Sequence, residues 1–184
     1  MQFARSIISS NSIVSSSLLR NVKFVRMASS GGKIQARLDE LGLKLPNPAK
    51  PVASYVMCKR VGNLIYTAGH LPQPATGGLI TGKVGSELTT EQGYDAARAV
   101  GLNILATLKD ELGGDLDKIK QFVKVMAFVN CVDGFSNQPK VVNGCSEMLG
   151  SVFGEKGKHA RSAVGTNSLP LNVPVEIECI VEVE

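Results

Sequence analysis

The pattern of apolar residues predicts an α+β fold in a single domain: a mixed sheet with two main helices packed on one of its faces. Three stretches carry this prediction. From Val175 the alternation is strict: Val175, Ile177, Cys179, Val181 and Val183 share one side, and Glu176, Glu178, Glu182 and Glu184 the other, as in a half-buried strand with an acidic outer face. Residues 118–130 place Val123, Val125, Ala127 and Val129 on one face and Phe122, Met126 and Phe128 on the other. Both faces are apolar, which predicts a central strand covered on both sides. Thr89 followed by Gln92 forms a capping box, after which Tyr94, Ala97, Gly101, Ile104, Leu105, Leu108 and Leu112 recur at spacings of three and four until Gly113-Gly114 stops the helix.

The chain begins with a stretch of different character. Residues 1–27 hold Arg5, Arg20, Lys23 and Arg26, many serines, and no Asp or Glu. This is the composition of an organellar transit peptide, and the mitochondrial matrix is the expected address. A Ser-rich tail with no address is the plainer alternative. Met27 opens Met-Ala-Ser-Ser and would serve as a second start for a cytoplasmic form. The whole chain has 20 Lys plus Arg against 16 Asp plus Glu, so the four leader cations account for the entire excess and the body is neutral. No polybasic stripe remains, there is no Trp, and Tyr55, Tyr66 and Tyr94 do not interleave with basic residues, all of which argues against a nucleic-acid partner. The apolar runs of the leader are too short to span a membrane.

In the body, Ile34, Leu38 and Leu41 at helical spacing with Gly42 just beyond predict a short helix from Lys33, followed by an extended, proline-rich linker, Pro46 to Pro51. Residues 28–51 therefore precede a domain spanning 52–184. Ser54 to Arg60 and Leu64 to Ala68 flank Val61-Gly62-Asn63 and predict a β-hairpin. Gly77, Gly82 and Lys83 imitate a phosphate loop, but Val84 stands where Ser or Thr must hold magnesium, so no such loop is expected. A second helix is expected from Pro139 to Gly154. Arg161 to Thr166, joined to the last strand by the turn residues Asn167 to Asn172, is expected as that strand's hairpin partner or neighbour. Arg161 would then lie near the carboxylate row. On residue physics alone this row is a solvated sheet face and Arg161 a surface pairing residue.

Two helices cover one face of such a sheet, while the central strand calls for cover on the other. Another copy of the chain is the expected cover. Cys58, Cys131, Cys145 and Cys179 have neither close pairs nor metal spacing and read as small core hydrophobes. With His70 and His159 as the only histidines, no convergent ligand set arises, and neither a metal nor a cofactor is expected. A Ser162-His159-Asp triad lacks a nucleophile elbow and is set aside. His70 is either a proton-transfer residue lining a cleft or an imidazole packed at a loop base.

Several of these segments together resemble the reactive intermediate deaminase family, also called YjgF or L-PSP proteins. The resemblance lies in Ala160-Arg-Ser, Leu169-Pro and Val175-Glu-Ile-Glu at the C-terminus, in Ala53-Ser-Tyr-Val with Gly62-Asn-Leu-Ile-Tyr-Thr-Ala-Gly-His-Leu-Pro upstream, and in Asn143. It covers residues 52 to 184 and implies a chorismate-mutase-like fold, a homotrimer, and ligand sites in clefts between subunits. It also implies a hydrolase of the 2-iminobutanoate/2-iminopropanoate deaminase type, taking enamines or imines of the 2-aminoacrylate kind from pyridoxal-phosphate enzymes to 2-keto acids and ammonia. On that reading Arg161 grips the substrate carboxylate through two parallel hydrogen bonds. Glu176 activates water. Tyr55, Gly69 and Asn143 line the cleft, Tyr55 from across a subunit boundary. Ala163 stands two after the arginine, where many members have Cys, so no thiol takes part there. Ser136 to Pro139 looks like an insertion ahead of Asn143. The alternatives are a non-catalytic trimer that binds small carboxylates or acts as a chaperone, and an endoribonuclease, against which the neutral body argues.

Overall fold

The computed structural model describes residues 32–51 and 53–184. The leader and the second start at Met27 lie outside the described residues. The element order is α1 (Lys33–Glu40), β1 (Cys58–Val61), β2 (Leu64–Thr67), α2 (Thr90–Glu111), β3 (Ile119–Asn130), α3 (Gln138–Phe153), β4 (Ala160–Thr166) and β5 (Val175–Val183). The strands form one mixed sheet in the order β1-β2-β5-β3-β4, parallel at β3/β4 and antiparallel elsewhere. Among the described residues α2 and α3 pack on each other and on one face of the sheet, which makes the fold α+β.

Local signals place the helix ends. Thr89 Oγ1 accepts from the Gln92 amide at 3.1 Å and Gln92 Oε1 from the Thr89 amide at 2.8 Å, which satisfies two of the donors that begin α2. Beyond its C-cap at Leu112, Gly113 takes φ 69°, a left-handed value that glycine adopts without strain. On the buried side of α2 lie Ala97, Val100, Ile104, Leu105 and Leu108. The helices α2 and α3 approach closely at Gly144, where a Cβ would sit 2.0 Å from the Tyr94 carbonyl oxygen. At the start of α1 the amides of Lys33 and Ile34 donate to the Asp117 carboxylate at 2.7 and 2.8 Å, and Leu38 is fully buried, so this helix is docked on the domain.

Three expectations change. The strands β4 and β5 are not neighbours: each flanks β3, β4 in parallel and β5 antiparallel, because α3 carries the chain over the sheet before β4 is laid down. Arg161 is therefore not beside the carboxylate row. Second, register shifts between Ile119 and Gln121 and between Phe122 and Lys124 reverse the parity of β3, as bulges do. Phe122 consequently faces the core, with its ring 5.1 Å from that of Phe153, and Val123 is exposed. Third, residues 54–57 are bends and irregular backbone rather than strand, and the hairpin begins at Cys58. The loop that imitates a phosphate loop does not open a helix: Val84 bridges to Cys131 and α2 begins only at Thr90.

Cys131, Cys145 and Cys179 are buried, and Cys58 is half-buried. Burial pushes the thiols of Cys58 and Cys179 up to about 11 and 12, consistent with inert packing groups. Opposite the helices, Met126, Phe128 and Ile180 are half-exposed, and Tyr66 and Val164 are exposed. Among the described residues no helix is long and apolar enough to cross a membrane, and no group of three His, Cys, Asp or Glu is placed to hold a metal.

Candidate functional site

The predicted site residues fall into two groups. The first lies on α3 and β4. Arg161 lies on β4 in register with Val125 of β3, itself opposite Cys179 of β5, so its side chain rises on the helix-covered side of the sheet. There Nη1 donates to Asn143 Oδ1 at 2.9 Å and to Ser146 Oγ at 3.0 Å, and Nη2 makes a longer contact of 3.4 Å with the Pro139 carbonyl. Asn143 and Ser146 are three apart on α3 and share a face. His159, two residues before Arg161, completes the cluster. Its Nδ1 lies 2.7 Å from the Gly157 carbonyl, which can only accept, so Nδ1 carries the proton and Nε2 accepts from the Ser146 hydroxyl at 3.0 Å. Burial pushes the His159 pKa below its ordinary value, and the Arg161 charge acts in the same direction. Ser146, His159 and Arg161 open onto a surface cavity of about 410 Å³. Among the described residues Arg161 makes no ion pair.

The second group surrounds the loop after β2. Gly69 lies against Glu176: a Cβ at this position would stand 1.9 Å from Glu176 Oε1, so only glycine leaves the carboxylate its place. Glu176 is half-buried on the open side of the sheet, in register with Phe128. Burial raises its pKa above the ordinary carboxylate value, and the neighbouring charge of Glu178 adds to this. Gly69 and Tyr55 also line a cavity of about 400 Å³. His70 forms part of its wall but is only 1% exposed. Its Nδ1 lies 2.7 Å from the Ala68 carbonyl and its Nε2 2.8 Å from Thr107 Oγ1, so both ring nitrogens are engaged in the packed loop base, the second of the two roles considered for it.

Within one chain, then, Asn143 meets Arg161, Gly69 meets Glu176, and Tyr55 shares a cavity with Gly69. Arg161 and Glu176 do not meet. They lie on strands two apart, about three residues out of line, which at ~4.8 Å between strands and ~3.3 Å per residue puts their Cα atoms roughly 14 Å apart. Their side chains also point to opposite faces. Ser146 and His159 are not among the site residues that the sequence predicts, although Ser146 is one turn from Asn143 and His159 shares strand parity with Arg161.

The family model described as "YjgF/chorismate_mutase-like, putative endoribonuclease" matches residues 35–183. Protein TCP17 of Trypanosoma cruzi is 42% identical over 154 residues, 83% of this chain and 96% of that protein. The crystal structure of protein Atu1372 from Agrobacterium tumefaciens is similar at a TM-score of 0.76 and 43% identity, covering 82% of this chain and 94% of that one. Two relatives of lower identity have informative names. The 2-iminobutanoate/2-iminopropanoate deaminase of Dermatophagoides farinae is 29% identical, covering 77% of this chain and 95% of that protein. "Protein MMF1, mitochondrial" of Saccharomyces cerevisiae is 31% identical, covering 78% of this chain and 83% of that protein.

Proposed function

This chain belongs to the YjgF/chorismate-mutase-like family, and from that premise we propose that it is a deaminase, hydrolysing reactive 2-imino acids to 2-keto acids and ammonia. The observation that carries the reading is the state of Arg161. Its guanidinium is oriented by neutral acceptors, Asn143 and Ser146, and no carboxylate among the described residues neutralises it. A fixed, unpaired guanidinium is suited to a carboxylate ligand, which it can take through two parallel hydrogen bonds. The name of the mite relative supports the same substrate class.

The chemistry needs little beyond placement and a base. Water adds to the carbon of the protonated imine while Glu176 takes its proton, giving a neutral carbinolamine; Glu176 then returns that proton to the nitrogen and accepts the hydroxyl proton as ammonia leaves and the 2-keto acid forms. A carboxylate whose pKa is raised by burial exchanges that proton more readily near neutral pH than an ordinary one. Arg161 and Glu176 are separated within a chain, so the complete site joins Arg161 and Asn143 of one copy to Tyr55, Gly69 and Glu176 of the next. Arg161 lies on β4 and Tyr55 just ahead of β1, the strands at the two ends of the sheet order. A head-to-tail contact between unlike edges forms a ring when its rotation closes, and the family resemblance supplies the number three. The half-exposed Met126, Phe128 and Ile180 would be covered in that ring.

The test couples the protein to a serine or threonine dehydratase with semicarbazide competing for free imine. Faster 2-keto acid formation and less trapped semicarbazone are expected. Rates equal to buffer would end the deaminase reading and leave carboxylate binding alone. Light scattering on the body from Met27 should give three copies, and a stable monomer would contradict the shared site. The leader, by its composition, directs import into mitochondria. Residues 1–30 fused to a fluorescent reporter should localise there, and a diffuse cytosolic signal would refute this.

A further inference from the structure

We propose that the cavity beside Gly69 receives the side chain of the imine and selects substrates derived from amino acids with bulky apolar side chains, such as leucine and phenylalanine. This rests on the deaminase reading above and extends it from reaction type to substrate class.

Continuity comes first. Gly69 forms both the surface against which Glu176 lies and part of the cavity wall. A carbon attacked by the water that Glu176 activates has the carboxylate on one side, so its remaining substituent is free to pass Gly69 into the cavity. The volume is about 400 Å³, within the ~300–1,000 Å³ range of pockets that enclose small molecules. A methyl or ethyl substituent would leave most of it unused.

The walls set the chemistry. Tyr55, Met57, Leu71, Leu79 and Leu171 supply the large apolar side chains of the lining. Of the polar residues there, both ring nitrogens of His70 are engaged and the Asn103 side-chain nitrogen donates to the carbonyls of Gln73 and Ala99 at 2.7 and 2.9 Å, while Gln73 is exposed. Among the described residues that line the cavity Lys50 is the only charged one, and it is exposed. Such a wall favours neutral, apolar groups.

Leu171 supplies an independent observation. It is 70% exposed, and its φ is 57°, followed by 54° at Asn172. Left-handed backbone is unfavourable for leucine, and exposure leaves its side chain without the burial that would offset the strain. The conformation holds an apolar side chain at the cavity rim, where a bound apolar group would cover it.

The experiment compares imines made in situ from alanine, leucine and phenylalanine by an L-amino acid oxidase, again with semicarbazide in competition. For the wild type we expect kcat/KM about 10- to 100-fold higher for the leucine-derived imine than for the alanine-derived one. Leu171→Gly keeps the left-handed backbone without strain and should fold at least as well. It should lose more activity on the leucine-derived than on the alanine-derived imine, narrowing their ratio about fivefold or more. Equal or reversed preference in the wild type, or a ratio unchanged in Leu171→Gly, overturns the proposal. If no imine is accelerated, the deaminase reading falls, and calorimetry with 4-methyl-2-oxopentanoate against pyruvate decides the pocket separately. Tighter binding of the larger keto acid supports it, and equal binding rejects it.

Discussion

At the β4 edge the functional groups are long polar side chains held by other side chains, with Arg161 fixed by Asn143 and Ser146, and Ser146 in turn by His159. Around the loop after β2 they are a glycine, a half-buried carboxylate and an apolar wall. The first region is cationic and can orient a carboxylate. It has no base, because burial and the Arg161 charge hold His159 neutral and its free nitrogen lone pair is occupied by Ser146. The second region has a base of raised pKa and a place for a side chain, but no cation close to Glu176 among the described residues to anchor an acid. Each region lacks what the other holds, and the fold sets Arg161 and Glu176 on opposite faces of one sheet, two strands apart. On the proposed function, the difference makes the catalytic unit a junction between copies rather than a feature of one chain.

Removing the cation should have the largest effect. Arg161→Ala is expected to lower kcat/KM by about two to three decades, the loss of a bidentate charged contact of roughly 2–5 kcal/mol, with the assembly unchanged. Arg161→Lys should recover little, since an ammonium cannot reproduce the planar two-point grip. If either variant keeps wild-type kcat/KM in the coupled assay, the cationic region is merely structural.

Glu176→Gln should then lose about two decades in kcat while calorimetry shows 2-keto acid binding nearly unchanged. The sign with pH follows from the raised pKa. With ionised Glu176 as the base of the proposed mechanism, wild-type turnover should fall on acidification at a higher pH than an ordinary carboxylate would give. A pKa raised in the folded state means that ionised Glu176 costs stability at neutral pH, a cost that disappears as pH falls below its unfolded value. Glu176→Gln should therefore raise Tm at neutral pH, with the gain shrinking toward pH 4. A Tm difference independent of pH would place the carboxylate in solvent.

A pair of glycine substitutions sharpens the contrast further. In Gly69→Ala the new Cβ meets only side-chain atoms of Glu176, from Oε1 back to Cγ, and a flexible side chain can turn away, so turnover should drop about tenfold with less change in stability. In Gly144→Ala the new Cβ meets the backbone of α2, which cannot, so the cost of about 1–3 kcal/mol or more should appear as a lower Tm. Thermal melts and kinetics of both variants check this. Reversed behaviour would mean that the base-bearing loop is the rigid region.

Which parts of this were legible in the sequence follows from the range of each signal. Thr89 with Gln92, the stop at Gly113 and the alternation from Val175 act over a few residues and mark their elements correctly. Pairing is not local. Arg161 to Thr166 and the last strand are joined by a short turn, yet α3 directs β4 to the far side of β3, a choice made by packing rather than by that turn. The face of Phe122 turned on a bulge that leaves no mark in an apolar run. At the site, resemblance supplied Arg161, Asn143, Gly69, Tyr55 and Glu176, and helical spacing was available to add Ser146. That Arg161 and Glu176 point to opposite faces depended on register with β3, which alternation within each strand does not contain.

The central claim, that one copy's Arg161 works with the next copy's Glu176, is tested most directly by mixing two inactive variants. Arg161→Ala and Glu176→Gln chains, denatured together and refolded at equal amounts, should recover about a quarter of wild-type activity, because about one junction in four then joins an intact arginine to an intact glutamate. Each variant refolded alone should stay inactive. Mixed assemblies of the proper size, verified by mass, with no activity beyond that of the separate variants would contradict the account and return both residues to a site within one chain.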